Sequence, residues 1–341
     1  MPTKAIVAAL LLVVGGAVAF ISGCGGGSTR KVTTAPTGAP TRKVTTAPTG
    51  APPWYAPYAD ASLPMPQFPS RHIVLGFILG NGCTPTWGGH QTLAQASTIN
   101  SRIQQTQAIG NQVIASFGGV AGSELAVSCT NPAQLEAAYH TVVSRYDLSM
   151  IDLDIEGDKS LDPTVNARRA QAIATLQHAQ AAAGKPLSVW LTLAVSPSGL
   201  VPSGIATIKQ MMAAGVTVSG VNVMAFDYGP LGSQTVLNAS ENALTATAAQ
   251  VKPLGLNSWS EIGATIMVGN TDTPGQVWSL SRAQSFYTFA YAHRLGRLSI
   301  WSLARDKQCV GTVPQPNDSC SGVAQQPLQF STVLGRNAGQ S

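Results

Sequence analysis

The sequence predicts an α/β protein built on a (β/α)8, or TIM, barrel, and three observations lead there. Eight apolar segments with strand character follow one another from Tyr55 onward. Stretches that suit helices separate most of them. Carboxylates, glycines and aromatics gather at the ends of the segments, where the loops of such a barrel open onto a site.

The strand segments run approximately from Tyr55 to Leu63, His72 to Leu79, Val113 to Phe117, Met150 to Glu156, Leu187 to Val195, Val218 to Phe226, Ile262 to Val268 and Arg297 to Leu303. All but the first are rich in aliphatic residues. The helical stretches are Gln91 to Ile109, Pro132 to Tyr146, Val165 to Ala183, Ile205 to Ala214, Ala243 to Val251 and Ser281 to Leu295. Gly184, Gly215 and Gly296 stand just past three of them, the position at which glycine closes a helix.

Residues 54–341 are read as this barrel domain, and what precedes them is of another kind. Lys4 begins an apolar stretch from Ala5 to Ile21 followed by small residues, the pattern of an export signal over residues 1–23. That stretch ends in Ile21-Ser22-Gly23-Cys24, which resembles a bacterial lipoprotein lipobox. The resemblance implies an acylated Cys24, an exported cell-envelope or secreted protein, and a lipid anchor on the membrane surface. Residues 24–53 are expected to be a disordered Pro/Thr-rich linker, in which the string TRKVTTAPTGAP occurs twice, at 29–40 and 41–52.

The formal net charge of +5 comes from this leader: Lys4, Arg30, Lys31, Arg42 and Lys43 precede residue 54 with no acid among them, which leaves the body balanced. No clustered basic face is present, so nucleic acid is not an expected partner. With Cys24 assigned to lipid, Cys83, Cys129, Cys309 and Cys320 are an even set in an exported chain. Two disulfides, Cys309 with Cys320 and Cys83 with Cys129, are favoured over the other connectivities, over buried thiols and over a metal site. No CxxC pair or clustered histidine supports zinc, and neither metal nor cofactor is expected.

The most informative run is Ile151-Asp152-Leu153-Asp154-Ile155-Glu156. On a strand, alternate side chains share a face, so the three carboxyl groups point one way and the aliphatic residues the other. Three like charges in a confined space cannot all ionise at neutral pH; a shared proton and at least one general acid are expected. At the other strand ends lie Ser116, Gly118 and Gly119, then Met224-Ala225-Phe226-Asp227-Tyr228, then Asn270 and Asp272, and finally Trp301.

Together these residues resemble glycoside hydrolase family 18, the chitinase family, and its bacterial branch with a short barrel. The family's DxxDxDxE is matched by Asp152, Asp154 and Glu156, with Ser149 in the first place. Its SxGG is matched by Ser116, Gly118 and Gly119, and its MxYD by Met224 and Asp227, with Phe226 in place of tyrosine. The segment from Trp301 to Cys309 matches that branch's WSxxRDxxC.

The resemblance implies a monomeric retaining glycosidase that cleaves β-1,4-linked N-acetylglucosamine polymers, with the substrate's own N-acetyl group as nucleophile. It makes Glu156 the acid and base, Asp154 the partner that bonds Glu156 and then the acetamido N–H, and Asp152 the residue that tunes Asp154. Asp227 would orient the acetamido group or the water. Trp301 would be the floor under the reacting sugar, with Met224, Phe226, Tyr228, Gly118 and Gly119 around the substrate. Phe226 lacks the hydroxyl that the family's tyrosine gives to the acetamido group, and Tyr228 is a candidate source from a shifted position. A chitin-binding, lectin-like surface protein and an endo-β-N-acetylglucosaminidase are the alternatives.

Overall fold

Alternation of aliphatic with small or polar residues produces eight parallel strands, each with one face toward a ring of helices and one toward an interior. The computed structural model describes residues 53–336. The signal stretch, Cys24, the linker up to residue 52 and residues 337–341 lie outside the described residues. The strands are β1 in two pieces (Trp54–Tyr55 and Tyr58–Asp60), β2 (His72–Asn81), β3 (Gln112–Gly118), β4 (Met150–Asp154), β5 (Ser188–Ser196), β6 (Val218–Met224), β7 (Ile262–Met267) and β8 (Arg297–Trp301). From β2 to β8 each pairs in parallel with the next.

The split β1 closes the ring. Its first piece pairs with β8 and its second with β2. The break falls at Pro57, which has no N–H to give to a ladder. Ala56 N–H donates to the Leu298 carbonyl at 2.9 Å on one side, and the Pro57 carbonyl accepts from Val74 N–H at 3.0 Å on the other.

Six helices make the crossovers: α1 (Ser97–Ala108), α2 (Pro132–Arg145), α3 (Pro163–Ala182), α4 (Pro202–Ala213), α5 (Val236–Val251) and α6 (Leu280–His293). Their starts are locally encoded. Asn131, Asp162, Thr235 and Ser279 each accept a backbone N–H from the first turn of α2, α3, α5 and α6. Proline opens α2, α3 and α4, where its missing N–H costs nothing.

Two connections differ from strict alternation. Between β1 and β2 there is no helix, because Pro64, Pro66 and Pro69 interrupt the backbone there. After β2 the chain forms a small antiparallel addition, Thr84–Trp87 paired with β2 and with Gln91–Thr92, so α1 starts at Ser97 rather than Gln91. Both favoured disulfides are formed: Cys83–Cys129 ties this addition to the loop after β3, and Cys309–Cys320 closes a loop after β8.

The main core lies between strands and helices, where Ile151, Leu153, Leu191, Val221 and Ile300 meet Leu135, Ile173, Ile208, Leu244 and Phe286. The barrel interior holds a smaller apolar group, Ala56, Tyr58, Val74 and Ile114, beside the buried polar residues Ser116, Asp152, Thr192, Asn222, Thr265, Arg297 and Ser299.

A second polar buried pair braces the loop after β3. The Arg169 guanidinium on α3 lies 2.9 Å from the Glu124 carboxylate, with both side chains almost wholly buried. Glu124 also accepts from the Tyr139 hydroxyl at 2.9 Å and from Ala126 N–H at 2.8 Å. Removing one partner leaves the other charge buried and uncompensated, which costs about 3–5 kcal/mol. Glu124→Gln is therefore expected to lower the urea midpoint by an amount equivalent to about 3–5 kcal/mol; an unchanged midpoint would show that the pair is not a brace.

Candidate active site

The site is built outward from the interior of β4. Asp152 is fully buried, and its two oxygens accept four hydrogen bonds from four strands. Oδ2 takes the hydroxyls of Tyr58 (2.9 Å) and Ser116 (2.7 Å). Oδ1 takes the Thr192 hydroxyl (2.7 Å) and Nη1 of Arg297 (2.9 Å). Asn222 extends the network by donating to Thr192 at 3.0 Å and Thr265 at 2.9 Å. The crowding of three carboxylates read from the sequence is thus relieved at its inner end by a cation on β8.

Asp154 stands at the end of β4 and is buried, but its Oδ1 has no hydrogen-bond partner. Burial pushes its carboxyl well above the ordinary carboxylate range, Glu156 and Asp152 push it further, and Arg297 opposes them. Asp154 therefore holds a proton more readily than an ordinary carboxyl group does. Glu156, two residues on and half-buried, is raised to about 7, first by burial and then by the charge of Asp227. It makes no capping bond to the short helical turn that starts at Gly157. The expected hydrogen bond between Asp154 and Glu156 is not formed; the two interact through charge.

The two glycines after β3 serve the backbone of this row. A Cβ at Gly118 would lie 2.1 Å from the Asp154 carbonyl oxygen, and Gly119 N–H donates to that same oxygen at 3.0 Å. A Cβ at Gly119 would press on the Phe77 ring at 3.1 Å. Both residues have positive φ, +109° and +83°, so a side chain is excluded by backbone conformation as well as by space.

Trp301, at the end of β8, stacks on Phe77 with ring centroids 5.6 Å apart and meets Tyr58 edge-on at 6.1 Å. Beside these rings a cavity of about 360 Å³ extends between the ends of β1 and β2 and the added hairpin, lined by Ala59, Asp60, Phe77, Trp87, His90 and Trp301 among others. Phe77 escapes sequence reading because the register of β2 shifts between Leu75 and Ile78, so alternation does not foretell its direction.

The segment after β6 is held by the chain that follows β7. Met224 is buried at the end of β6, and Phe226 is half-buried two residues on, in the inward row that contains Asn222. The Trp278 indole donates to the Ala225 carbonyl at 3.1 Å. Asp227 adopts φ +55° and accepts Thr273 N–H at 2.7 Å, which fixes a carboxylate whose charge acts on Glu156. Tyr228 does not offer a free hydroxyl: its OH donates to Ser240 on α5 at 2.8 Å. The shifted-hydroxyl reading is corrected accordingly.

Arg305 and Asp306, from the same segment as Trp301, turn away from this chemistry. Arg305 donates to the carbonyls of Val268, Asn270 and Asn317. Asp306 accepts from Gln325 and from the backbone N–H groups of Phe330 and Ser331. Among the described residues no group of three or more His, Cys, Asp or Glu is arranged to hold a metal ion.

No protein-family model matches the chain. It is 35% identical over 279 residues to a probable bifunctional chitinase/lysozyme of Escherichia coli K12, an alignment spanning 74% of this chain and 31% of that protein. It is 33% identical over 276 residues to endochitinase 11 of Metarhizium anisopliae, spanning 74% of this chain and 52% of that one. The chain therefore spans about a third to a half of the length of these relatives. Catalytic-site mutants of active domain 2 of the thermostable chitinase from Pyrococcus furiosus, solved with chito-oligosaccharides, match it with a TM-score of 0.72 at 27% identity, over 86% of this chain and 98% of that one. The catalytic domain of the hyperthermophilic chitinase of the same organism matches with a TM-score of 0.71 at 26% identity. Identity of 33 to 35% along three quarters of the chain, on a barrel that follows the barrel of a chitinase over 98% of that structure, makes this chain similar to chitinases in both sequence and fold.

Proposed function

We propose that the protein hydrolyses β-1,4-linked N-acetylglucosamine chains with retention, by substrate-assisted catalysis at Glu156. One observation carries this reading. Glu156 is a half-buried carboxyl raised to about 7 beside Asp154, whose own proton affinity is raised by burial, so a proton donor stands ready near neutral pH.

A sugar seated on Trp301 would present its glycosidic oxygen to Glu156. The acetamido oxygen attacks the anomeric carbon as the glycosidic C–O bond breaks and the Glu156 proton passes to the leaving oxygen. Asp154, with an unpartnered oxygen, accepts the acetamido N–H and supports the positive charge of the oxazolinium intermediate. Water then attacks the anomeric carbon, the acetamido oxygen departs, and the Glu156 carboxylate takes the water proton. Burial first, and then the charge of Asp227 held by Thr273, raise the proton affinity of Glu156 before the substrate arrives.

A second reading, a site that binds sugar and turns it over slowly, draws support from Phe226 and from the engagement of the Tyr228 hydroxyl by Ser240. The acetamido group would then lack one positioned donor, a loss worth on the order of a hundredfold in rate.

Three measurements on the domain from residue 54 test these readings. Glu156→Gln is expected to abolish release of product from chito-oligosaccharides while binding persists; equal rates in the variant and the parent would end the hydrolase reading. The kcat/KM profile is expected to fall on its alkaline side through about 7, because deprotonation of Glu156 removes the acid. A rate still rising above that point would exclude Glu156 as the donor. Phe226→Tyr is expected to raise kcat by about tenfold or more, in line with the worth of one positioned donor; no gain would mean that the missing hydroxyl does not limit turnover.

A further inference from the structure

The row of three carboxyl groups on β4 is asymmetric in its hydrogen bonding. All four acceptor sites of Asp152 are filled, two per oxygen, by Tyr58, Ser116, Thr192 and Arg297. Asp154 has an oxygen with no partner at all. A proton can settle on Asp152 only by displacing a donor, whereas on Asp154 it displaces nothing.

Arg297 is held as tightly as the carboxylate it serves. Its side chain is fully buried, its Nε donates to the Ser299 hydroxyl at 3.0 Å, and its guanidinium lies 5.2 Å from the Tyr58 ring, 5.7 Å from Trp54 and 5.9 Å from Trp190. Three aromatic faces and two hydrogen bonds leave it one position. We propose that Arg297 is a positioning residue of the hydrolytic reaction: it fixes Asp152 as a carboxylate with every acceptor site filled, and so confines the exchangeable proton to Asp154 and Glu156.

The ionisable groups around the row are few. β1 contributes Tyr58, β2 contributes His72 near the opposite end, β8 contributes Arg297, and Asp227 follows β6. From β3, β5 and β7 the facing groups are Ser116, Thr192 and Thr265, all uncharged. Arg297 is thus the cation that acts on Asp154, opposing Glu156 and Asp152.

The inference rests on the hydrolase reading for its kinetic test but not for its spectroscopic one. In Arg297→Gln the row loses its positive charge and its macroscopic proton affinities rise. The alkaline limb of kcat/KM on chito-oligosaccharides is expected to move up by on the order of one pH unit. Arg297→Lys, which keeps the charge, is expected to leave the limb in place even if kcat falls. Carboxyl-carbon NMR titration of the substrate-free domain should show one more carboxyl group titrating in Arg297→Gln than in the parent, and that signal should vanish in Asp152→Asn/Arg297→Gln.

A folded Arg297→Gln protein with reduced kcat, an unmoved limb and no additional titrating carboxyl would make Arg297 a purely structural residue and overturn the proposal. If Arg297→Gln does not fold, a limb displaced in Arg297→Lys despite the retained charge overturns it equally. If the parent hydrolyses nothing, the NMR comparison still decides the role of Arg297, while the hydrolase reading alone fails.

Discussion

The bond between Arg297 and Asp152 at the centre of the barrel is the interaction on which the rest of the structure depends. Two opposite charges with no exposure to water are costly to bury unless every remaining valence is satisfied nearby. The barrel meets most of that demand by drawing one side chain from each of several strands, Tyr58 from β1, Ser116 from β3, Thr192 from β5 and Ser299 beside Arg297 on β8, and leaves Nη2 of Arg297 without a hydrogen-bond partner. Asn222 and Thr265 connect β6 and β7 to the same network. A register slip in any of these strands would turn its polar residue into the apolar outer layer and leave a charge unpaired. The polar interior therefore specifies alignment, while the apolar layer outside supplies most of the stability.

That arrangement grades the carboxyl row by depth. The innermost group is saturated with donors, the middle one is buried with a raised proton affinity and an empty acceptor, and the outermost is half-buried and raised to about 7. The backbone beneath the middle group is held by glycine contacts no larger residue could make, and the loop that carries those glycines is braced by Glu124 and Arg169. Stability in the scaffold and proton affinity in the site are thus governed by separate buried ion pairs, one outside the barrel wall and one within it.

Much of this was legible in the residues, and what was not has physical reasons. Alternation alone put Asp152, Asp154 and Glu156 on one face, and Gly184 and Gly215 marked where α3 and α4 close. The countercharge was hidden because Arg297 lies 145 residues from Asp152, and an arginine that opens a strand reads as an end residue. Tyr58 was obscured by the break at Pro57, and Phe77 by a register shift. Tyr228 misled because a hydroxyl next to a site looks available until the helix that claims it is seen. Trp190 packs inside the barrel, against the same guanidinium.

The divided first strand has a consequence in time. Its two halves hold β8 and β2, so the ring shuts only when the opening residues of the domain meet a strand that begins at Arg297. Until that stretch has been synthesised, the ring has no strand to close on and Asp152 has no Arg297 to pair with. Contacts between such distant residues make closure a late and slow event.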